Sequence, residues 1–307
     1  MAKKRRPQRM APIQDDARYD VDIVIPVHGQ AELLRKCLAA LGMAAFNTKY
    51  KVILVDDSSP ESERASLDLL FNEHVAFPNV RIHQGKGKNQ GFSWACNTGA
   101  TLGESPAILF LNSDCILDAG AIDAMVSALN APAPEIGLSV GDGKVGIVGA
   151  KLRFPDDSTD ASRPAGKVQH AGISFDMEGN PHHVHLGWSP DHLSVNVPTC
   201  MQAVTGACLM IRRDLFSSVW ANYRANGENT NGAFNNIYGL GTFEDMELCF
   251  AARHQGFNVV YEPRAHGTHY TGASVIQTGQ QYPLNRNAGI FRARCGSMIV
   301  WDEFMLY

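Results

Sequence analysis

Between residues 21 and about 130 the chain alternates four times between a short apolar run and a stretch with apolar residues at helical spacing. Asp22-Ile23-Val24-Ile25-Pro26-Val27 is followed by Leu34, Cys37, Leu38 and Leu41, and Lys51 to Val55 by Leu67, Leu70 and Phe71. Val80 to His83 is followed by Phe92, Ala95, Cys96 and Gly99, and Ile108 to Leu111 by Ile122, Met125, Val126 and Leu129. A run that is apolar at every position, not at alternate ones, belongs to a strand covered on both faces. Short links between strand and helix leave crossover connections as the way to join such strands, so the predicted class is α/β with a doubly wound, mostly parallel sheet. Local chemistry agrees: Gly42 is expected to stop the first helix, and Ser59 with Pro60 to start the second.

Open sheets of this kind bind ligands outside the carboxyl ends of their strands. The residues at those tips are Pro26-Val27, Asp56-Asp57-Ser58-Ser59 and Asn112-Ser113-Asp114. The first strand is not followed by G-x-G-x-x-G, and the loop Gly85-Lys86-Gly87-Lys88-Asn89-Gln90-Gly91 lacks the G-K-[ST] ending of a P-loop, which argues against a dehydrogenase or P-loop nucleotide site. Carboxylates at strand tips offer another way to hold a nucleotide. They accept hydrogen bonds from a base N–H or ribose hydroxyls, and they are the hard oxygen ligands that Mg²⁺ and Mn²⁺ prefer. Either acidic cluster alone is also an ordinary turn or helix cap. The pair at matching edges is more specific than either.

The second half is less regular. It reads as a strand from Val145 to Gly149, a Pro/Asp/Gly/His-rich stretch from Pro155 to Pro198, and an apolar run from Ala203 to Ile211. Gly239-Leu240-Gly241-Thr242-Phe243-Glu244-Asp245 then opens a helix to about Gly256, followed by a strand from Asn258 to Tyr261. Residues 21–307 are expected to form one domain, a nucleotide-binding half over 21–130 merging with a smaller mixed α/β acceptor-side half over 131–307. Glu244 and Asp245 lie in a first helical turn, where acids also compensate the helix dipole. His182-His183-x-His185, flanked by His170 and His192, matches no common zinc spacing and has no cysteine pair beside it.

Composition narrows the setting. With 45% hydrophobic and 19% charged residues the chain is ordinary for a globular protein, and no apolar run approaches the ~18 residues of a membrane span. The seven cysteines are scattered singly, the pattern of reduced, buried thiols. Lys3, Lys4, Arg5, Arg6 and Arg9 make residues 1–20 a basic arm, expected to be disordered. Setting these five cations aside turns a net charge of −4 into −9 on the remaining body. No secretory signal is evident, so the expected location is cytoplasmic, with peripheral contact to a membrane allowed.

Taken in order, several of these segments resemble one family. Val55-Asp56-Asp57-Ser58-Ser59, Asn89-x-Gly91 with Asn97-x-Gly99, Phe110-Leu111-Asn112-Ser113-Asp114, Thr205-Gly206-Ala207, Glu244-Asp245-x-Glu247-Leu248 and His269 resemble the signals of family 2 glycosyltransferases of the GT-A fold, in particular rhamnosyltransferase-like members. The resemblance runs from about Asp22 to the C-terminus. It implies inverting transfer of a hexosyl or deoxyhexosyl group from a nucleotide-diphosphate sugar to an acceptor hydroxyl, with Mn²⁺ or Mg²⁺ and an Asp general base. Carried over residue by residue, Pro26, Val27, Asp56 and Asp57 would border the nucleotide base with Lys86 and Asn89 nearby. Asn112 and Ser113 would lie near the ribose, and Asp114 and His269 would hold the metal. Asp245 would be the base with Glu244 as partner, and Thr205 and Gly206 would face the acceptor; apart from the resemblance, the His-rich loop with Gly187-Trp188 reads as an acceptor-side lid. One departure stands out: the first acid of the family's D-x-D is Asn112 here, which removes a negative charge and keeps hydrogen-bonding capacity. The acceptor implied is a growing polysaccharide or lipid-linked glycan. The alternatives are DNA carrying hydroxylated bases, met through the basic arm, or a nucleotide- or nucleic-acid-binding module without catalysis.

Overall fold

The computed structural model describes residues 18–43, 47–74, 79–85, 87–271 and 281–302. The basic arm, but for its last three residues, and Lys86 lie outside the described residues, so what was expected of them has no structural counterpart. The four predicted strand–helix pairs are present as β1 (Val21–Val27), α1 (Ala31–Met43), β2 (Tyr50–Asp56), α2 (Glu61–His74), β3 (Val80–Gln84), α3 (Phe92–Ala100) and β4 (Ala107–Leu111). Short β5 (Cys115–Leu117) and α4 (Ala121–Asn130) complete the first half. The order β3-β2-β1-β4 is parallel throughout, with Val24 opposite both Ile53 and Phe110. Consecutive residues of β1 bury on opposite faces, Ile23 and Ile25 in one apolar layer and Val24 in the other. This is the physical content of an unbroken apolar run. The chain winds outward from β1 to β3 and returns to β4 on the other side of β1, so a crevice opens at the carboxyl ends of β1 and β4.

The second half joins the same sheet. β6 (Val145–Arg153), β10 (Thr199–Met201), β11 (Cys208–Arg212) and β12 (Asn258–His269) continue the order as β4-β11-β6-β12-β10. β11 is antiparallel to both β4 and β6, whereas β6 and β12 are parallel. The predicted irregular stretch after Pro155 contains β7 (Val168–His170), paired with β6, and a hairpin of β8 (Ile173–Phe175) and β9 (Pro181–His183). Helices α5 (Arg213–Ala225), α6 (Glu244–His254) and α7 (Leu284–Cys295) cover this half. All seven cysteines are free and buried. No helix among the described residues is long and apolar enough to cross a membrane.

Three local expectations change. α1 continues through Gly42 to Met43, so that glycine sits within the last turn. Ser59 does not cap α2: its hydroxyl accepts from Gly29 N and donates to Asp56 Oδ1, tying the β1 and β2 tips together. β12 runs eight residues beyond the predicted end at Tyr261, because after a register shift between Glu262 and His266 it continues along β6 and pairs with β5. That extension sets His269 opposite Cys115, one residue from Asp114.

Candidate active site

A cavity of about 420 Å³ opens at the crevice. Pro26, Val27, Asp57 and Asn89 line one side, and Asn112, Ser113, Asp114 and His269 lie at its floor. Thr205, Gly206, Glu244 and Asp245 close it from the second half. Twelve of the residues proposed from the sequence therefore share one space. Two others do not. Asp56 is fully buried and turned away: Oδ1 accepts from the backbone and hydroxyl of Ser59, and Oδ2 pairs with Arg64 at 2.7 Å. Trp188 does not line the cavity either. It packs between the rings of His185 and His192, 4.6 and 4.7 Å away, and its carbonyl accepts from Val168 N behind β7.

Asp57 is spent partly on the fold. Its carboxylate accepts from Gln90 N and Gly91 N at 2.8 and 2.6 Å, which pins the loop before α3 to the β2 tip. Gly91 then lies so close to Gly239 that a Cβ there would fall 2.1 Å from the Gly239 carbonyl oxygen, and its φ of 99° is left-handed. Only glycine meets both demands.

At the floor, His269 Nε2 stands 3.2 Å from Asp114 Oδ1 and 3.3 Å from Asn112 Nδ2. Asn112 Oδ1 is buried without a hydrogen-bond partner, a costly state for an acceptor that nothing satisfies. Carboxylate, imidazole and amide oxygen are a donor set suited to Mn²⁺ or Mg²⁺. Among the described residues no three His, Cys, Asp or Glu side chains converge on one point, so the pair Asp114 and His269 leaves most of a coordination sphere open. The His-rich stretch is divided among other tasks: His170 pairs with His183, and His182 bonds Asp176.

Glu244 and Asp245 open α6 directly after two non-glycine residues with left-handed backbone, Thr242 at φ 80° and Phe243 at φ 73°. Each such residue costs about 1–3 kcal/mol and persists only where its surroundings hold it. Asn287 of α7 does this, its amide donating to the carbonyls of Tyr238 and Gly241 at 3.0 and 2.8 Å. Asp245 accepts from Gly206 N through Oδ2 and from Met246 N through Oδ1, both at 2.8 Å. Burial raises its pKa and those N–H groups oppose the rise. Glu244 is pushed up to about 8 by burial and by the charge of Asp245, and its Oε2 has no partner. Both acids are thus raised by burial, and Asp245, with a backbone N–H on each oxygen, is the better placed of the two to carry a charge. Glu247, one turn on, points elsewhere: it bonds Arg294 and Tyr238 and ties α6 to α7.

Several site residues escaped the sequence reading. His28 lines the cavity one position beyond Val27, where the rule of strand tips would have found it. Leu240, Gly241 and Thr242 also line it, and the glycine-rich turn before Glu244 was their signal. Phe92, Thr271 and Tyr282 carried none, because only tertiary packing brings them to the space.

The fold is that of the GT-A glycosyltransferases. It is similar to a structure of GalNAc-T7 with UDP, GalNAc and Mn²⁺, at a TM-score of 0.59 and 14% identity, covering 83% of this chain and 44% of that one. A mannosyltransferase of Pyrobaculum calidifontis in complex with GDP-Man and Mn²⁺ gives a TM-score of 0.51 at 14% identity, over 83% of this chain and 58% of the other. The sequence model of Glycosyl transferase family 2 matches residues 22–146, and over those residues the chain is similar to that family. The O-antigen biosynthesis protein RfbC of Myxococcus xanthus is 26% identical over 295 residues, 86% of this chain and 19% of its own length. The chain spans between about a fifth and two fifths of the length of the curated relatives it matches.

Proposed function

We propose that this chain is a metal-dependent, inverting glycosyltransferase that moves a hexosyl or deoxyhexosyl group from a nucleotide-diphosphate sugar to a glycan hydroxyl. The observation that carries the reading is that an acid pair from α6 and an Asp–His pair from the β4–β5 turn and the end of β12 face a single cavity at the carboxyl edge of the sheet. The O-antigen name of the Myxococcus relative supports a glycan as acceptor.

Asp245 is the general base. Held by two backbone N–H groups, its carboxylate stays charged while Glu244 keeps a proton, and it accepts the proton of the acceptor hydroxyl as that oxygen attacks the anomeric carbon. A single displacement with the base on the face opposite the leaving diphosphate inverts the configuration. Pro26, Val27, Asp57 and Asn89 receive the nucleoside, Asn112 and Ser113 lie toward the ribose, and Thr205 and Gly206 border the acceptor. Asp114 and His269 would hold a divalent cation, with Asn112 Oδ1 close by; when bound it supplies charge neutralisation for the departing diphosphate. With Asn112 in place of a second acid, the donor set carries a single negative charge. Cation and diphosphate are therefore expected to bind far better together than apart.

Incubation with a panel of nucleotide sugars and an oligosaccharide acceptor, with Mn²⁺ or with EDTA, tests this. Release of a nucleoside diphosphate from one donor, dependent on Mn²⁺, is the expected result; saturable donor binding without turnover would sink it. Asp245→Asn should lower kcat by about 10²–10⁴-fold while donor affinity stays within about twofold, because the base acts on the acceptor. Near-normal turnover in that variant would place the base elsewhere.

A further inference from the structure

His269 meets a second residue on its far side. Gln169, in the middle of β7, is 6% exposed, and its Oε1 lies 2.8 Å from His269 Nδ1. The amide Nε2 of Gln169 faces two acceptors, the backbone carbonyl of His269 at 3.4 Å and the hydroxyl of Thr271. A carbonyl oxygen can only accept, so the amide nitrogen must point at it, which fixes the amide with Oε1 toward the ring. Oε1 also can only accept. The proton of a neutral His269 ring is therefore on Nδ1, and the lone pair is on Nε2.

This has a consequence at the cavity floor. In that neutral tautomer Nε2 is an acceptor: it takes an Asn112 amide N–H at 3.3 Å and stands 3.2 Å from Asp114 Oδ1 with no hydrogen between the two. Two buried acceptors at that distance repel unless a cation lies near both. We propose that Gln169 is a positioning residue that sets the tautomer and orientation of His269 and so prepares Nε2 and Asp114 to share a divalent cation. The inference rests on the metal reading above and deepens it. Histidine ligands are oriented by an acceptor on the other ring nitrogen, and removal of such a partner costs about 10–100-fold in metal affinity. Gln169 supplies that acceptor without adding charge, which keeps the site weak for free metal and dependent on the donor diphosphate.

The test is Mn²⁺ binding, read from the loss of the free-ion electron paramagnetic resonance signal at pH 8, for the full chain with Mn²⁺ alone and with UDP or GDP added. Wild type is expected to bind Mn²⁺ more tightly with one of the nucleotides. Gln169→Leu should lose about 10–100-fold in Mn²⁺ affinity. Gln169→Glu, which keeps an oxygen opposite Nδ1, should retain most of the affinity, and nucleotide affinity in EDTA should be the same in all three. If Gln169→Leu melts below the assay temperature, Gln169→Asn takes its place, with an amide too short to reach Nδ1 and the same loss expected. Wild type and Gln169→Leu binding Mn²⁺ equally overturns the inference and leaves the metal reading standing. A wild type that binds no Mn²⁺ under any of these conditions overturns both.

Discussion

At the scale of single residues, the acid pair decides what pH does to this protein. Glu244 is held near 8 because it is buried beside Asp245, with Thr242 and Glu244 backbone N–H groups only partly offsetting that. Its native pKa lies above the ordinary carboxylate value, so the folded state keeps a proton that the unfolded chain releases. The stability this proton represents is complete below about pH 4 and is lost as pH rises toward 8. Glu244→Gln mimics the protonated acid and cannot ionise. It is expected to melt higher than wild type at pH 8, to match it at pH 5, and to lose any alkaline limb in the pH profile of kcat. A wild-type melting temperature that is flat between pH 5 and 8 would show that Glu244 is not protonated in the native state. Asp114→Ala and His269→Ala should weaken Mn²⁺ binding in parallel, since each would remove one ligand of the same ion; unchanged Mn²⁺ dependence in either excludes that residue from the site.

At the scale of elements, β7 supports two parts of the cavity wall through consecutive residues. Gln169 holds His269, while His170, fully buried, receives the Thr205 N–H at Nε2 (3.3 Å) and reaches His183 through Nδ1 at 2.9 Å. An N–H can only donate, so Nε2 is the acceptor and the neutral ring carries its proton on Nδ1, donated to His183. Burial drives the His170 pKa well below its usual value, so this arrangement persists at neutral pH. Thr205 leads into Gly206, whose N–H holds Asp245. His170→Phe should therefore lower kcat by roughly tenfold and leave Mn²⁺ affinity intact, the reverse of Gln169→Leu, with about 1–3 kcal/mol of destabilisation from the unpaired Thr205 N–H. Paired kinetic and Mn²⁺ titrations of the two variants separate these roles. The loop before α3 makes a matching case: Gly91→Ala forces a Cβ into the Gly239 carbonyl and should raise the donor KM at least about tenfold, a full pKa-unit equivalent of binding energy. A normal KM would mean that the two loops yield without disturbing the nucleoside side.

Across the whole molecule, one buried ion pair anchors the sheet at the end away from the cavity. Asp22, fully buried, pairs with Arg213 of α5 at 2.6 Å and accepts from Ser105 N and Oγ, both at 2.8 Å. Arg213 also donates to the carbonyls of Ala100 and Ser105, so the pair ties β1, the α3–β4 connection and α5 together. Asp22→Ala leaves a partly buried guanidinium without its carboxylate, though still bonded to two carbonyls, and is expected to cost about 1.5–3 kcal/mol in denaturant unfolding. Because β1 separates Asp22 from the cavity by several residues at ~3.3 Å each, the folded variant should bind donor normally. A loss of donor affinity without loss of stability would contradict this division. The division also shows what could be read without the fold. Unbroken apolar runs, their spacing and the acids at their tips are local properties, and they determined the α/β class, the parallel first half, and the candidacy of Asp57 and Asp114; Glu244 and Asp245 became candidates through the resemblance of their segment to one family. Tertiary structure alone decided that β12 continues to His269 and lies along β5, that Asp56 turns to Arg64 while Asp57 turns to the Gly91 loop, and that Trp188 packs behind β7. It also brought Gln169 to His269 across a hundred residues of chain. The reason is physical: periodicity records which face of an element is buried, whereas the partner of a buried polar group depends on which elements meet, and no local pattern carries that information.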